Sequence, residues 1–336
     1  MIRLIFSLLF LFSIQFTNAQ SIDIPSKKWG VSFGNSTNFT GLRLNFRDNI
    51  FEKINGINLT VWRPRDPVTG SVNGLAIGLP ITGAGNLKGI AIGAGVMAEK
   101  SIYGINIGVL GSGSGQDMKG INIAGLGMGS GAEMAGINLG GLGLGTGRDL
   151  KGFSFGGLGI GAGESISGIT FAGLGVGSGN EIKGLTFGGL GVGAGSNIKG
   201  ITAALLGVGS GENIVGLTVA GLGIGAGDSL KGINIAIIGV GAPNLVGLNI
   251  AAAVGGEDVT CLALAPAYFK IEDGGIFKGL SVSVFNYVRG ENRGINIGVF
   301  NYAVSNKGLQ IGILNYVKSN PKGLRILPLF NADFSK

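Results

Sequence analysis

The sequence predicts an all-β protein built from repeats, with a closed antiparallel β-barrel as the expected architecture and a β-solenoid of about 16 residues per coil as the alternative. Three observations lead there. A sixteen-residue unit recurs, with opening glycines at 104, 120, 136, 152, 168, 184, 200, 216 and 232. Inside each unit, apolar residues alternate with small or polar ones, as in Ile121-Asn122-Ile123 and Leu185-Thr186-Phe187, which is the period of a strand. Glycine supplies 69 of 336 residues, about three times the usual share, and each disfavours helix by about 1 kcal/mol relative to Ala.

Taken in chain order, the first element is a secretory signal peptide over residues 1–19. Met1-Ile2-Arg3 gives a short positive start, Leu4 to Phe16 is almost wholly apolar, and Thr17-Asn18-Ala19 supplies the small residues of a cleavage site before Gln20. Such a run is too short for a stable membrane span. No cysteine follows it, which argues against a lipoprotein anchor. Residues 20–336 then read as a single β-repeat domain, with strict repeats over 104–246 and looser ones on both sides. The looser units start at Gly41, Gly56, Gly74 and Gly89, and again at Gly247, Cys261, Gly279, Gly294, Gly308 and Gly323.

Within a strict unit the two apolar alternations are out of step. Ile123 and Leu126 stand three residues apart, so the apolar set changes face unless the chain turns at Ala124-Gly125. Glycine permits such a turn or bulge. A polar connection closes each unit, as in Gly195-Ser196-Asn197-Ile198, and reads as an exposed turn. In the barrel reading each unit is one strand plus a turn, and closure removes open edges. In the solenoid reading each unit is a coil of two short strands, Ile-x-Ile and Leu-x-Met, both facing inward. Neither end of the array carries an evident cap in the sequence, which favours closure.

The last units change character: Phe285-Asn286-Tyr287, Phe300-Asn301-Tyr302 and Leu314-Asn315-Tyr316 recur. The run from Gly294 to Tyr302, followed by Gly308-Leu309-Gln310-Ile311-Gly312-Ile313-Leu314-Asn315, resembles a bacterial surface-repeat protein family with GLQIGxxN-type repeats. It is also similar to the β-flower proteins, which are shallow β-barrels with protruding hairpins. The resemblance implies a barrel and a cell-envelope location, and it brings no catalytic residues. In the middle of the chain Gly-Leu-Gly replaces its Leu-x-Asn step.

Chemistry is sparse. The chain has no histidine and one cysteine, Cys261, which removes the common general base, the usual zinc ligand and any Ser-His-Asp triad. Cys261 takes the place of an opening glycine and reads as a small buried residue. The glycine runs lack the helix and acidic residue that a dinucleotide-binding motif needs. Asp117, Glu133, Asp149, Glu164, Glu181 and Glu212 recur in the connections, too dilute for a calcium-binding repeat. The net charge is +7, yet the basic residues are scattered without a dense Lys/Arg face, which excludes nucleic acid.

A polar column runs Asn106, Asn122, Asn138, Ser154, Thr170, Thr186, Thr202, Thr218, Asn234 and Asn249. It reads as a hydrogen-bonded ladder stabilising the sheet, with an outward ice-binding face as its other meaning. Tyr287, Tyr302 and Tyr316 read either as membrane-interface aromatics or as packing that closes one end of the core. The expectation is therefore a non-enzymatic envelope protein, exported to the outer membrane or cell surface of a Gram-negative bacterium, with the periplasm or secretion as the other destinations. It would have a structural role or bind lipid or another apolar ligand. The competing reading is a β-solenoid adhesin or ice-interacting protein. No catalytic residue, metal site or cofactor is expected, and no protein partner is indicated.

Overall fold

The computed structural model describes residues 21–48, 51–62 and 69–334, and the expected signal peptide lies outside the described residues. Strands joined by tight turns make up the described chain, with one 3-10 turn at Lys322–Leu324. It divides into two compact units, one ending at Phe155 and one starting at Gly156. Both are built from the same coil.

One coil of the second unit illustrates it. An eight-residue strand, Glu181–Gly188, turns at Gly189-Leu190 into a four-residue strand, Gly191–Ala194. The next coil repeats this as Asn197–Ala204 and Gly207–Ser210. Equivalent strands pair in parallel, with Gly184 opposite Gly200 and Val192 opposite Val208. In the first unit Gly120 likewise stands opposite Gly136, and Met128 opposite Leu144. The fold is a β-solenoid with roughly 16 residues per coil. The expected closed antiparallel barrel is not formed. Its strands would have to run through the Gly189 corner, where the chain instead folds so closely onto the coil before it that a Cβ would lie 1.6 Å from the Gly173 carbonyl oxygen.

The faces of the long strand are the reverse of the sequence reading, whereas on the short strand Met128 faces inward as expected and only Leu126, on the corner, is exposed. Ile-x-Ile does not point inward: Ile121 and Ile123 are exposed, and Asn122 between them is fully buried. The reason is the strand's starting point. It begins three residues before the opening glycine, so Ile182 fixes the inward parity and carries it to Thr186 and Gly188. A one-residue change of parity sends every side chain of a strand to the other face. The closing connection is correspondingly shorter than expected, because Asn197 and Ile198 already belong to the next strand.

The core of a regular coil is thus Ile182, Val192 and Ala194, with one polar side chain, Thr186. The opening glycine is needed by geometry. Gly184 has φ +109°, and a Cβ there would sit 2.2 Å from the Gly168 carbonyl oxygen, a backbone state that L side chains avoid.

Caps are present where the sequence shows none. Ser21–Pro25 pairs antiparallel with Trp29–Gly34 in the first unit, and Ile326–Asn331 pairs antiparallel with Leu309–Val317 in the second. Each capping strand carries a proline, Pro25 or Pro328, a residue that sheets confine to edges. Near its cap the first unit also holds a buried charge pair. The Arg43 guanidinium donates to Asp48 and to Asn58 Oδ1 at 2.8 Å, with its carbon 5.4 Å from the Phe51 ring centre. Such a pair needs several partners to offset its desolvation.

Candidate functional site

A regular coil is amphipathic around its circumference. Charges collect at the start of the long strand, where Glu181 lies 2.5 Å from Lys183 and 2.8 Å from Lys199 of the following coil. Past the opening glycine the outward side chains are Leu185 and Phe187, then Leu190 on the corner, which is 45% exposed. The short strand beyond shows only Gly191 and Gly193 to solvent. Neighbouring coils repeat each place, producing two apolar columns, a Leu ridge and a bare glycine strip.

Four of the recurring acidic residues, Asp117, Glu133, Asp149 and Glu181, are paired with lysines. Glu133 lies 2.5 Å from Lys119 and 3.0 Å from Lys151. Hydrogen bonds from these two ammonium groups hold its carboxyl below the usual range, and Lys183 and Lys199 do the same for Glu181. Among the described residues no cluster of His, Cys, Asp and Glu side chains could hold a metal ion. Cys261 is buried and faces inward; loss of hydration pushes its thiol up to about 11, which disfavours the reactive thiolate. The Asn and Thr column also faces the interior. Asn122 donates to Asn138 at 2.9 Å, and Asn234 to Asn249 at 2.9 Å.

Tyr287, Tyr302 and Tyr316 lie on the outer surface, half-buried against one another. Ring centres are 4.9 Å apart for Tyr287 and Tyr302, and 5.3 Å for Tyr302 and Tyr316. Beside them a second stack joins Tyr268 to Phe285 at 5.6 Å and Phe285 to Phe300 at 4.9 Å. These aromatics do not enter the core.

Register shows where they come from. Gly239 pairs with Ala253, Ala253 with Tyr268, and Tyr268 with Phe285. Gly241 leads through Gly255 and Lys270 to Tyr287 along the same rungs. The bare glycine strip therefore becomes the aromatic face within the second unit. A cavity of about 500 Å³ lies at that step. Sequence reasoning identified the tyrosines but missed the step, which alignment of Gly239 with Tyr268 across two repeats would have exposed.

A second cavity, of about 560 Å³, is almost wholly apolar. It is a groove between the column Val282, Ile297 and Ile311 and the corner ridge Val284, Val299 and Ile313. Leu329 completes its lining with φ +66°, a strained conformation for a non-glycine residue that persists only where surroundings enforce it. No helix among the described residues is long and apolar enough to cross a membrane. No family model, curated protein or solved structure matches the chain.

Proposed function

We propose that this β-solenoid is a non-enzymatic protein of the cell envelope, exported to the outer membrane or surface of a Gram-negative bacterium, where it holds lipid acyl chains against its apolar side. The observation that carries the reading is the apolar groove, which continues the second outward apolar column of the long strands and the ridge beside it. Ile313 and Leu329 at its margins are 70% and 73% exposed. Contiguous apolar surface beyond a few hundred Å² marks a place that meets lipid or another partner. Covering a large aliphatic side chain is worth about 1.5–3 kcal/mol when complete, so even half of that, summed along the groove, supports binding. The resemblance to surface-repeat proteins agrees with this location. The lysines near the apolar columns suit the headgroup region of a lipid layer.

The test is flotation of the purified protein with phosphatidylcholine vesicles, together with displacement of a fluorescent fatty acid. The paired substitution Val299→Ser and Ile313→Ser alters exposed side chains only, and is expected to abolish fatty-acid binding while leaving the circular dichroism spectrum intact. Equal fatty-acid binding by the variant removes the groove from the reading. A folded protein that neither floats nor binds fatty acid favours the adhesin alternative. The ice-interacting alternative required an outward threonine column, whereas Thr170, Thr186, Thr202 and Thr218 are buried.

A further inference from the structure

We propose that the step between the glycine strip and the aromatic face is a carbohydrate site that seats a pyranose ring against Tyr268. The site lies on the outward face of the short strands, apart from the acyl-chain groove, and does not depend on it.

The floor is bare by choice of residue. Gly239 has ordinary backbone angles, and a Cβ there would meet no atom within 4 Å. At Gly241 the nearest atom would be the Gly255 carbonyl oxygen at 3.6 Å, an ordinary contact. The fold would therefore admit a side chain at either position, and glycine in a strand costs stability. What glycine provides here is unobstructed space next to a wall. Tyr268 forms that wall. One side of its ring is stacked on Phe285 with an interplanar angle of 8°, and its neighbour on the other side is Ala253, too small to cover it. Tyr268, Phe285 and Phe300 thus form a stack whose next place, above Gly239 and Ala253, holds no side chain larger than a methyl group.

The cavity of about 500 Å³ above this floor is within the range of small-molecule sites. A flat ring with an apolar face would continue the stack. The margin selects which kind of ring. Lys270 and Glu272 line the cavity with Nζ and Oε1 2.6 Å apart, and Glu257 lines it as well. A donor and an acceptor held side by side suit the adjacent hydroxyls of a sugar. The C–H bonds on a pyranose face carry the partial positive charge that the negative face of an aromatic ring attracts. A purely apolar aromatic ligand would make no use of the Lys270–Glu272 pair and would have to desolvate it together with Glu257.

The test screens fluorophore-labelled protein on an oligosaccharide array, then titrates chitotriose and cellotriose by calorimetry. At least one oligosaccharide is expected to bind. Tyr268→Ala is expected to weaken it at least tenfold by removing the wall, and Gly239→Leu by filling the floor, where the structure has room for the side chain. Tyr316→Ala, remote from the step along the aromatic column, is expected to leave binding unchanged. Failure of the folded protein to bind any oligosaccharide would overturn the proposal. So would binding that survives Gly239→Leu, or displacement by that substitution of an anilinonaphthalene dye alone. Fatty-acid binding, measured on the same variants, is expected to stay intact, which keeps failure of this site distinct from failure of the acyl-chain groove.

Discussion

Two regions of the second unit use one coil in opposite ways. In the regular coils, represented by Ile182 to Ala194, the interior is aliphatic with one threonine, and the short strand shows bare glycine outside. In the closing coils more of the interior is polar. Asn286 donates to Asn301 at 2.7 Å, Asn301 to Asn315 at 2.7 Å, and Asn292 to Asn306 at 2.6 Å. The rings of Tyr268, Phe285, Phe300, Tyr287, Tyr302 and Tyr316, meanwhile, stack outside. The backbone ladder is common to both, so parallel rungs set the fold and the side-chain columns are free to differ. Stacked asparagines satisfy one another rung by rung, whereas an aliphatic column gains from burial without directional demands. The outward glycines are therefore a property of the surface, not a condition of the fold.

The sharpest way to break this distinction is to treat two glycines of one coil alike. At Gly184 a Cβ would stand 2.2 Å from a backbone oxygen and φ is +109°. At Gly193 a Cβ would meet nothing within 4 Å. Gly184→Val is expected to destabilise by at least about 3 kcal/mol, and Gly193→Val to stay within about 0.5 kcal/mol or to stabilise through strand propensity. Urea unfolding monitored by circular dichroism reads both. A large loss at Gly193 would show that the bare strip is a folding requirement after all.

How much of this was legible follows from the same residues. The opening glycines and the alternation of Leu185-Thr186-Phe187 revealed strands and a sixteen-residue period, and the solenoid was among the architectures they allowed. The direction of the side chains was not legible while the strand was started at Gly184, because Ile182 sets the parity and looks like part of a polar turn. The caps at Ser21–Pro25 and Ile326–Asn331 were hidden because they lack the repeat. The candidate site was half visible. Tyr287, Tyr302 and Tyr316 stood out in the sequence, but the meaning of Tyr268 depends on a small neighbour in the adjacent coil.

A second, smaller effect separates the two interiors. Asn301 accepts from Asn286 and donates to Asn315 and to the Ile311 carbonyl at 3.0 Å. Asn301→Ala should leave those partners unsatisfied and cost about 3 kcal/mol. Thr186 Oγ1 is buried and has no hydrogen-bond partner. Thr186→Val, close to it in shape, is expected to change stability by less than about 1 kcal/mol and in the stabilising direction. If the two substitutions cost the same, the threonine column is a ladder like the asparagine one, and the contrast between the interiors fails.

Cys261 marks the boundary between the regions and offers the finest test of it. It occupies an opening-glycine place, opposite Gly247 and Gly279, yet its backbone is ordinary and its side chain points inward. Burial raises its thiol from 9.0 to about 11. An acid whose folded pKa is raised is held neutral by folding, so the folded state is undisturbed below pH 9 and loses stability as pH rises from 9 to 11, because only the unfolded thiol ionises freely there. That loss is expected to reach about 2 kcal/mol. The quantity to measure is the difference in unfolding free energy between the wild type and Cys261→Ala at pH 8 and pH 11, which cancels whatever the two proteins share. The difference should narrow, or change sign, in favour of the alanine variant at the higher pH. At pH 8 the native thiol should also resist alkylation far longer than the unfolded one. A pH-independent difference, or rapid native alkylation, would mean that the solenoid opens at this rung and that the regular and closing coils are joined by a loose seam.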